Sequence, residues 1–187
     1  MAMDAISQQL NKLIKEDRYK EARTLIRPEL KKSEKSGRYL HFWLASMAIT
    51  YYNEKKYQQA LRYSEAALKD APRCPMVLWD YSGALEMTGR TEEALAIWRR
   101  LRRRHLKTLA YGQCGEGLRW AKRLKNDCLF CIAELYREQN KLKEAKSRFL
   151  QYIRQRRKGV WSIYTLHDAK KKLKDIRMRQ AQKTDKP

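Results

Sequence analysis

A sequence pattern that recurs at a spacing of 34 residues constrains the fold of this chain more than any other feature. Ala60 and Ala94 occupy equivalent places in a Gln-Gln-Ala-Leu and a Glu-Glu-Ala-Leu segment, 34 residues apart. Related segments hold Ala22, 38 residues before Ala60, and Ala145, 51 residues after Ala94. Self-similarity at a fixed period indicates structural units that stack on one another. We therefore expect a chain built from repeated, similar units.

Each unit is predicted to be a pair of α-helices. Apolar residues recur three and four positions apart on both sides of a turn candidate, as in the run from Leu44 to Tyr51 before the turn at Asn53. The chain has only 7 glycines and 4 prolines in 187 residues, which favours helices joined by short turns over the many turns of an all-β fold. The fold class is therefore predicted to be all-α.

Three of the helix pairs place apolar, small and aromatic residues in the same order. The shared positions hold Leu44, Ala48, Tyr51, Ala60 and Ala67 in one pair, Leu78, Ser82, Leu85, Ala94 and Trp98 in the next, and Leu129, Ala133, Tyr136, Ala145 and Phe149 in the last. This order resembles the tetratricopeptide repeat over about residues 3–157. The resemblance implies a right-handed α-solenoid of helical hairpins, because a single hairpin cannot bury its apolar face without a neighbour.

The resemblance also predicts how the chain is divided. We expect one repeat domain over residues 1–178 and a polar tail over 179–187. The repeat units are predicted at 3–36, 41–74, 75–108 and 126–159, with an extra helix at 109–125 and a capping helix at 160–178. The extra helix could form a separate layer or continue into the following helix as one long rod; the sequence leaves both arrangements open.

The first helix of each hairpin lines the concave face in this family. The resemblance therefore implies a groove that binds a peptide or helix of a partner protein. Its lining is predicted to be aromatic, to carry methionine and to be locally acidic. The corresponding residues are Phe42, Tyr52, Met76, Trp79, Asp80, Glu86, Phe130 and Glu134. An alternative is that an extra helix or a neighbouring molecule simply covers these side chains.

The chain carries a strong positive charge. Its 43 Lys and Arg residues outnumber 21 Asp and Glu residues, giving a formal net charge of +22. A charge of this size attracts polyanions such as nucleic acid. The candidate residues for an alternative, polyanion-binding function are Arg99, Arg100, Arg102, Arg103, Arg104, Lys122, Arg123, Arg156 and Arg157. Several of them fall at predicted helix C-termini, where cations interact favourably with the helix dipole without any ligand.

No pattern in the sequence indicates catalysis, a cofactor or a metal site. Cys128 and Cys131 have the short spacing of a metal or redox motif, but no second cysteine or histidine pair completes four ligands, so we interpret them as small packing residues. The four cysteines do not form the framework of a disulfide-rich protein, and neither a signal peptide nor a membrane span is evident. We expect a non-enzymatic, cytoplasmic scaffold or adaptor.

Overall fold

The protein is described by a computed structural model, in which the backbone of residues 2–184 and the side chains of residues 5–181 are placed. Every regular element in this range is an α-helix. The ten helices are α1 (Ala2–Lys15), α2 (Tyr19–Ser36), α3 (Leu40–Asn53), α4 (Tyr57–Asp70), α5 (Pro75–Met87), α6 (Thr91–Arg103), α7 (Leu106–Tyr111), α8 (Gly117–Glu138), α9 (Leu142–Arg157) and α10 (Leu166–Thr184). The all-α prediction is confirmed.

The turns that follow α1, α3, α5 and α8 share one backbone geometry. The turns α1–α2, α3–α4, α5–α6 and α8–α9 each contain one residue of positive φ, namely Asp17 (56°), Lys55 (60°), Gly89 (82°) and Asn140 (57°). In every case the next amide N–H donates to the carbonyl five residues earlier, over 2.8–2.9 Å. A left-handed residue with this hydrogen bond ends a helix with its last carbonyls satisfied. Each left-handed residue lies five positions before the repeated alanine, so the turn and the alanine recur together.

The repeated alanines are buried. Ala22, Ala94 and Ala145 have no exposed surface, and Ala60 retains 1%. The small residues of the preceding helices, Ala48, Ser82 and Ala133, are also at most 2% exposed. A small side chain lets two helix backbones approach closely, because nothing beyond a methyl or hydroxymethyl group separates them. The period in the sequence therefore corresponds to small residues that are buried in each unit.

The residues fall into two compact units, Met1–Arg90 and Thr91–Pro187, whose boundary lies between the two helices of the third predicted pair. The expected single repeat domain over 1–178 stays a prediction. In the first unit each helix packs on the next along the chain, and α3 also contacts α5. Its core includes Leu10, Ile26, Trp43 and Met47, each at most 2% exposed.

A charged pair lies beside this core. Arg23 of α2 is only 5% exposed, and its Nη2 lies 2.9 Å from Oε1 of Glu54, the residue that directly follows α3. The same guanidinium donates to the Thr50 hydroxyl over 3.3 Å and lies 4.5 Å from the centre of the Tyr51 ring. Together with the Lys56 ammonium it lowers the pKa of Glu54 to about 2. A buried guanidinium that is paired in this way links α2 to the end of α3.

In the second unit, α8 packs against α6, α7 and α9, and α10 packs against α9. Trp98, Leu129, Phe149 and Tyr152 are among its most deeply buried side chains. Of the two arrangements open for residues 109–125, the continuous rod is the one observed from Gly117 onwards. Residues 117–125 form the first part of the 22-residue helix α8, and α7 is a separate short helix before it.

The capping helix begins later than expected. Residues 160–165 are not helical, and α10 starts at Leu166 rather than near Val160. Thr165 explains the start, because its hydroxyl oxygen accepts the Asp168 amide over 3.0 Å and its hydroxyl donates to the Asp168 carboxylate over 2.6 Å. A Thr followed three residues later by an acidic residue is a helix-start signal, and it is visible in the sequence. The helix also continues past 178 to Thr184; residues 185–187 of the expected tail lie outside the described residues.

Candidate functional site

The predicted groove residues of the first unit lie on α3 and α5, two helices that contact each other. Tyr52 is the clearest link between them. Its ring lies 3.7 Å from the point that a Cβ at Gly83 would occupy, so the phenol rests directly on the α5 backbone. Phe42 is held edge-on against Trp43, with ring centroids 4.8 Å apart. Phe42, Tyr52, Met76 and Trp79 all keep part of their surface exposed.

Two carboxylates accompany these apolar side chains on α5. Asp80 and Glu86 are both partly exposed as residues, one on each side of Gly83 along the helix. Burial of the Asp80 carboxyl raises its pKa to about 7, because desolvation penalises the charged form. Asp80 can therefore change its charge close to neutral pH. An approaching cation would favour the ionised form and lower that pKa again.

The predicted groove residues of the second unit are covered. Phe130 is 7% exposed, and its ring stacks on Tyr164, with centroids 4.1 Å apart and planes 5° from parallel. Phe149 and Tyr152 of α9 contact the same ring edge-on, at 5.5 and 5.4 Å. Glu134 forms ion pairs with Arg137 and with Lys172 of α10. The expectation that Phe130 and Glu134 receive a partner is corrected here, because the C-terminal segment occupies that face of α8.

A small cluster of hydrogen-bonded polar groups holds residues 162–164, the part of the C-terminal segment that covers α8. The Ser162 hydroxyl donates to Oδ1 of Asp127 over 2.5 Å, and the Ile163 amide donates to the same oxygen over 3.3 Å. The Tyr152 hydroxyl donates to the Tyr164 carbonyl over 2.6 Å. Burial raises the pKa of Asp127 to about 6, although the Ser162 hydroxyl and the Arg123 charge act in the opposite direction. The cluster fixes residues 162–164 against α8 and α9.

The second unit also contains a cationic cleft. Two adjoining cavities of about 630 and 410 Å³ share Arg102, Lys125 and Leu129 in their linings. We call this pair of cavities the basic cleft. The larger cavity is lined by Arg99, Arg102, Arg103, Lys125, Leu129, Ile132, Tyr136 and Arg148. The smaller is lined by Arg102, Leu106, Lys122, Lys125, Asn126, Leu129, Gln155, Lys158 and Val160. No acidic residue is among these described lining residues.

The structure separates the predicted basic residues into different roles. Arg99, Arg102, Arg103 and Lys122 line the basic cleft, whereas Arg123 lies 3.8 Å from Asp127 and packs over the Trp161 ring. Arg156 donates to the Val160 carbonyl over 3.0 Å. Arg157 lines another cavity, between α9 and α10. Arg100 and Arg104 are not among the lining residues of the cleft; Arg100 is exposed and Arg104 is partly exposed.

Some cleft residues were missed by the sequence analysis. Lys125 and Lys158 each follow other basic residues, Lys122-Arg123 and Arg156-Arg157, whereas Arg148 lies in no run of basic residues. Arg148 belongs to α9 and reaches the cleft only because α9 packs along α8. The interpretation of Cys128 and Cys131 as packing residues agrees with their burial, at 0% and 5% exposure. Burial also raises the pKa of the Cys128 thiol far above its usual range.

Comparison with known proteins gives a family match for part of the chain. The family model described as "Tetratricopeptide repeat" matches residues 46–105, a segment that begins within α3 and ends just after α6. The matched segment therefore carries tetratricopeptide repeats, and the all-helical fold is consistent with a solenoid of such repeats. Tetratricopeptide repeats generally mediate protein–protein interactions. A search of curated proteins gave no significant match. None of the described helices has the length and apolarity needed to cross a membrane.

Proposed function

We propose that the chain is a non-enzymatic scaffold or adaptor that binds a peptide or helix of a partner protein on the joint face of α3 and α5. One observation carries the proposal: the Tyr52 ring rests on α5 at Gly83, which joins the two helices into one surface. Partly exposed Phe42, Met76 and Trp79 lie on the same two helices. Aromatic and methionine side chains form adaptable apolar pockets, which is how grooves of this kind take up a partner's side chains.

The carboxylates indicate what kind of segment would fit. Asp80 and Glu86 favour a partner that offers Lys or Arg next to an apolar side chain, because opposite charges select the register of binding. Since the pKa of Asp80 is about 7, its full negative charge is present only above neutral pH. Binding of a basic segment should therefore strengthen as the pH rises through this value. Glu134 cannot add to this surface in the arrangement described, because it is paired with Arg137 and Lys172.

Selection of peptides from a random library against the full chain tests the proposal. We expect the enriched peptides to combine an aliphatic or aromatic anchor with Lys or Arg. Trp79→Ala should reduce their affinity by about tenfold or more, as for a typical anchor residue. Tyr111→Ala is the matched control, because Tyr111 is an exposed aromatic residue of α7. Equal affinities for the wild type and the Trp79 variant would rule out the α3–α5 face.

The pH dependence of peptide affinity provides a second, independent test. The selected peptides should bind wild type more tightly at about pH 8 than at about pH 6, and Asp80→Asn should remove the difference. The sign follows from the raised pKa of about 7: below it most Asp80 carboxyls are protonated and offer no charge to a cation. A pH profile that survives in the Asp80→Asn protein would show that another group selects the charge.

A further inference from the structure

The basic cleft of the second unit brings together several cations, and its described lining residues include no carboxylate that would neutralise them. Burial lowers the pKa of Arg102, and the neighbouring Arg148 charge lowers it further. Burial and the Arg102 charge lower the pKa of Lys125 in the same way. Three like charges held close together at the edge of a core raise the free energy of the folded protein, unless an anion lies between them. The arrangement is therefore suited to a ligand that carries several negative charges.

The hydrogen bonds of the lining residues fix several cations in place. The Lys125 ammonium donates to the Arg104 carbonyl over 2.7 Å, which holds α8 against the end of α6. Arg148 donates to the Gln151 side chain over 3.1 Å, and Arg99 donates to the Tyr136 hydroxyl over 2.5 Å. These partners are neutral, so they position the cations without cancelling their charge. A preorganised set of cations loses less side-chain entropy on binding than a set of freely moving lysines.

The two cavities of the basic cleft differ in the residues that line them. The larger cavity is walled by arginines, whereas the smaller combines lysines with the apolar side chains of Leu106, Leu129 and Val160. Arginine offers a planar fork that suits phosphate oxygens. The apolar floor of the smaller cavity suits an organic group attached to the phosphate. A ligand that alternates phosphates with flat organic groups matches both parts.

The floor of the smaller cavity also contains an unsatisfied amide. Asn126 is 2% exposed, and neither its Nδ2 nor its Oδ1 has a hydrogen-bond partner among the described residues. A buried amide without partners is costly, so such groups in proteins usually meet a ligand or water. Rotation of the amide toward the cleft would let Nδ2 donate to a ligand oxygen. The unsatisfied Asn126 amide points to a ligand independently of the positive charge of the lining residues.

We propose that the basic cleft binds single-stranded nucleic acid, with phosphates against Arg102, Arg103 and Arg148 and a nucleoside over Leu106 and Val160. This site is separate from the α3–α5 face of the proposed scaffold function, and either can hold without the other. An inorganic phosphate chain would leave the apolar floor unused, and a carboxylate-rich peptide would not use the tetrahedral geometry of a phosphate. Binding through the phosphate backbone implies little dependence on base sequence and a strong dependence on salt.

Fluorescence anisotropy with a labelled oligouridylate strand and the full chain tests the proposal. The double variant Arg102→Gln with Arg148→Gln should weaken binding by at least about tenfold. The slope of log K against log salt should fall by about one for each phosphate that is no longer neutralised. The control Arg157→Gln with Lys170→Gln removes the same charge from the cavity between α9 and α10. Equal weakening in both double variants would show that only net charge matters and would overturn the site.

Two further experiments identify the class of ligand and show whether the variants fold. Arg103→Gln alone, at an exposed residue, should weaken binding without affecting folding, and the circular dichroism melting curves of all variants should stay cooperative. An abasic strand of equal length should bind more weakly than oligouridylate, because it cannot cover the apolar floor. Equal binding of the abasic strand, or displacement of oligouridylate by polyglutamate or inorganic polyphosphate at equal charge, would overturn the assignment to nucleic acid.

Discussion

Phe130 of α8 and Tyr164 of the segment before α10 form a face-to-face stack, with ring centroids 4.1 Å apart. The two residues are 34 positions apart in the chain. Phe130 occupies a place that lines the binding groove in the resembled family, yet here it is part of a buried aromatic cluster with Phe149 and Tyr152. The C-terminal segment thus closes the second unit with its own side chains at the place where a partner was expected.

Phe130→Ala should destabilise the second unit, because it leaves a cavity among three aromatic rings. We expect the free energy of unfolding to fall by about 3–4 kcal/mol, as for other buried Phe→Ala changes. Urea unfolding followed by circular dichroism measures the effect. Leu118→Ala, at a residue of α8 that is 40% exposed, serves as control and should cost less than about 1 kcal/mol. Similar values for both variants would mean that the aromatic cluster is not a core.

Ser162→Ala should loosen the covering segment. The change removes the donor to Asp127 and leaves a buried carboxyl with fewer hydrogen bonds, at a cost of about 1–2 kcal/mol. Amide hydrogen exchange in α10 should accelerate, because residues 162–164 connect that helix to α8 and α9. His167→Ala changes an exposed residue at the start of α10 and should leave the exchange rates unaltered. Unchanged amide exchange in the Ser162 variant would show that the Ser162–Asp127 hydrogen bond does not hold the C-terminal segment in place.

Glu54 should make the first unit sensitive to acid. Its pKa is lowered from an ordinary value of 4.5 to about 2, so the stabilisation is fully present above pH 4.5 and is lost as the pH falls toward 2. We expect the free energy of unfolding to drop by about 2 kcal/mol over this window after allowance for partial exposure. Equilibrium unfolding at a series of pH values checks this.

The matched variants for that series are Glu54→Gln and Glu65→Gln. Glu54→Gln should lower stability at neutral pH, because it leaves the buried Arg23 without its carboxylate, and it should abolish the acid-dependent loss of stability. Glu65 pairs with Arg90 at the surface, over 3.0 Å, and its variant should keep the wild-type pH profile. An acid-dependent loss of stability that persists in Glu54→Gln would assign the effect to a different carboxyl.

Lys55→Gly and Gly89→Ala should have opposite effects, because both residues occupy the left-handed position of the turn that ends a helix. A Cβ at Gly89 would meet no atom within 4 Å, so Gly89→Ala is penalised only by its φ of 82°, at about 1 kcal/mol. Lys55→Gly relieves the same strain at φ 60° and should raise stability by a few tenths to about 1 kcal/mol. Thermal unfolding of the two variants beside wild type measures both shifts. A stabilising Gly89→Ala change would refute the shared turn geometry.

The repeat units were predictable because their signals are local. The alanine period, the turn residues such as Gly89 and the apolar spacing within each helix are all set within about five to fifteen neighbouring residues. The capping box of Thr165 and Asp168 is equally local, and this signal predicts the observed start of α10. The continuous rod of α8 could not be chosen over a separate layer, since glycine loosens a helix start without fixing its direction.

The candidate sites were predictable only in part, because they depend on how helices pack. Arg102 and Lys122 were expected on a basic surface, but the convergence of Arg148 from α9 with Lys125 from α8 was not readable from either helix alone. The same holds for Phe130, whose surroundings depend on where residues 162–164 return. The sequence by itself determined the helices, their turns and the buried small residues, since hydrogen bonds and side-chain periodicity act along the chain. Only the tertiary structure decided which charged and aromatic side chains meet, because those contacts join residues from helices far apart in the sequence.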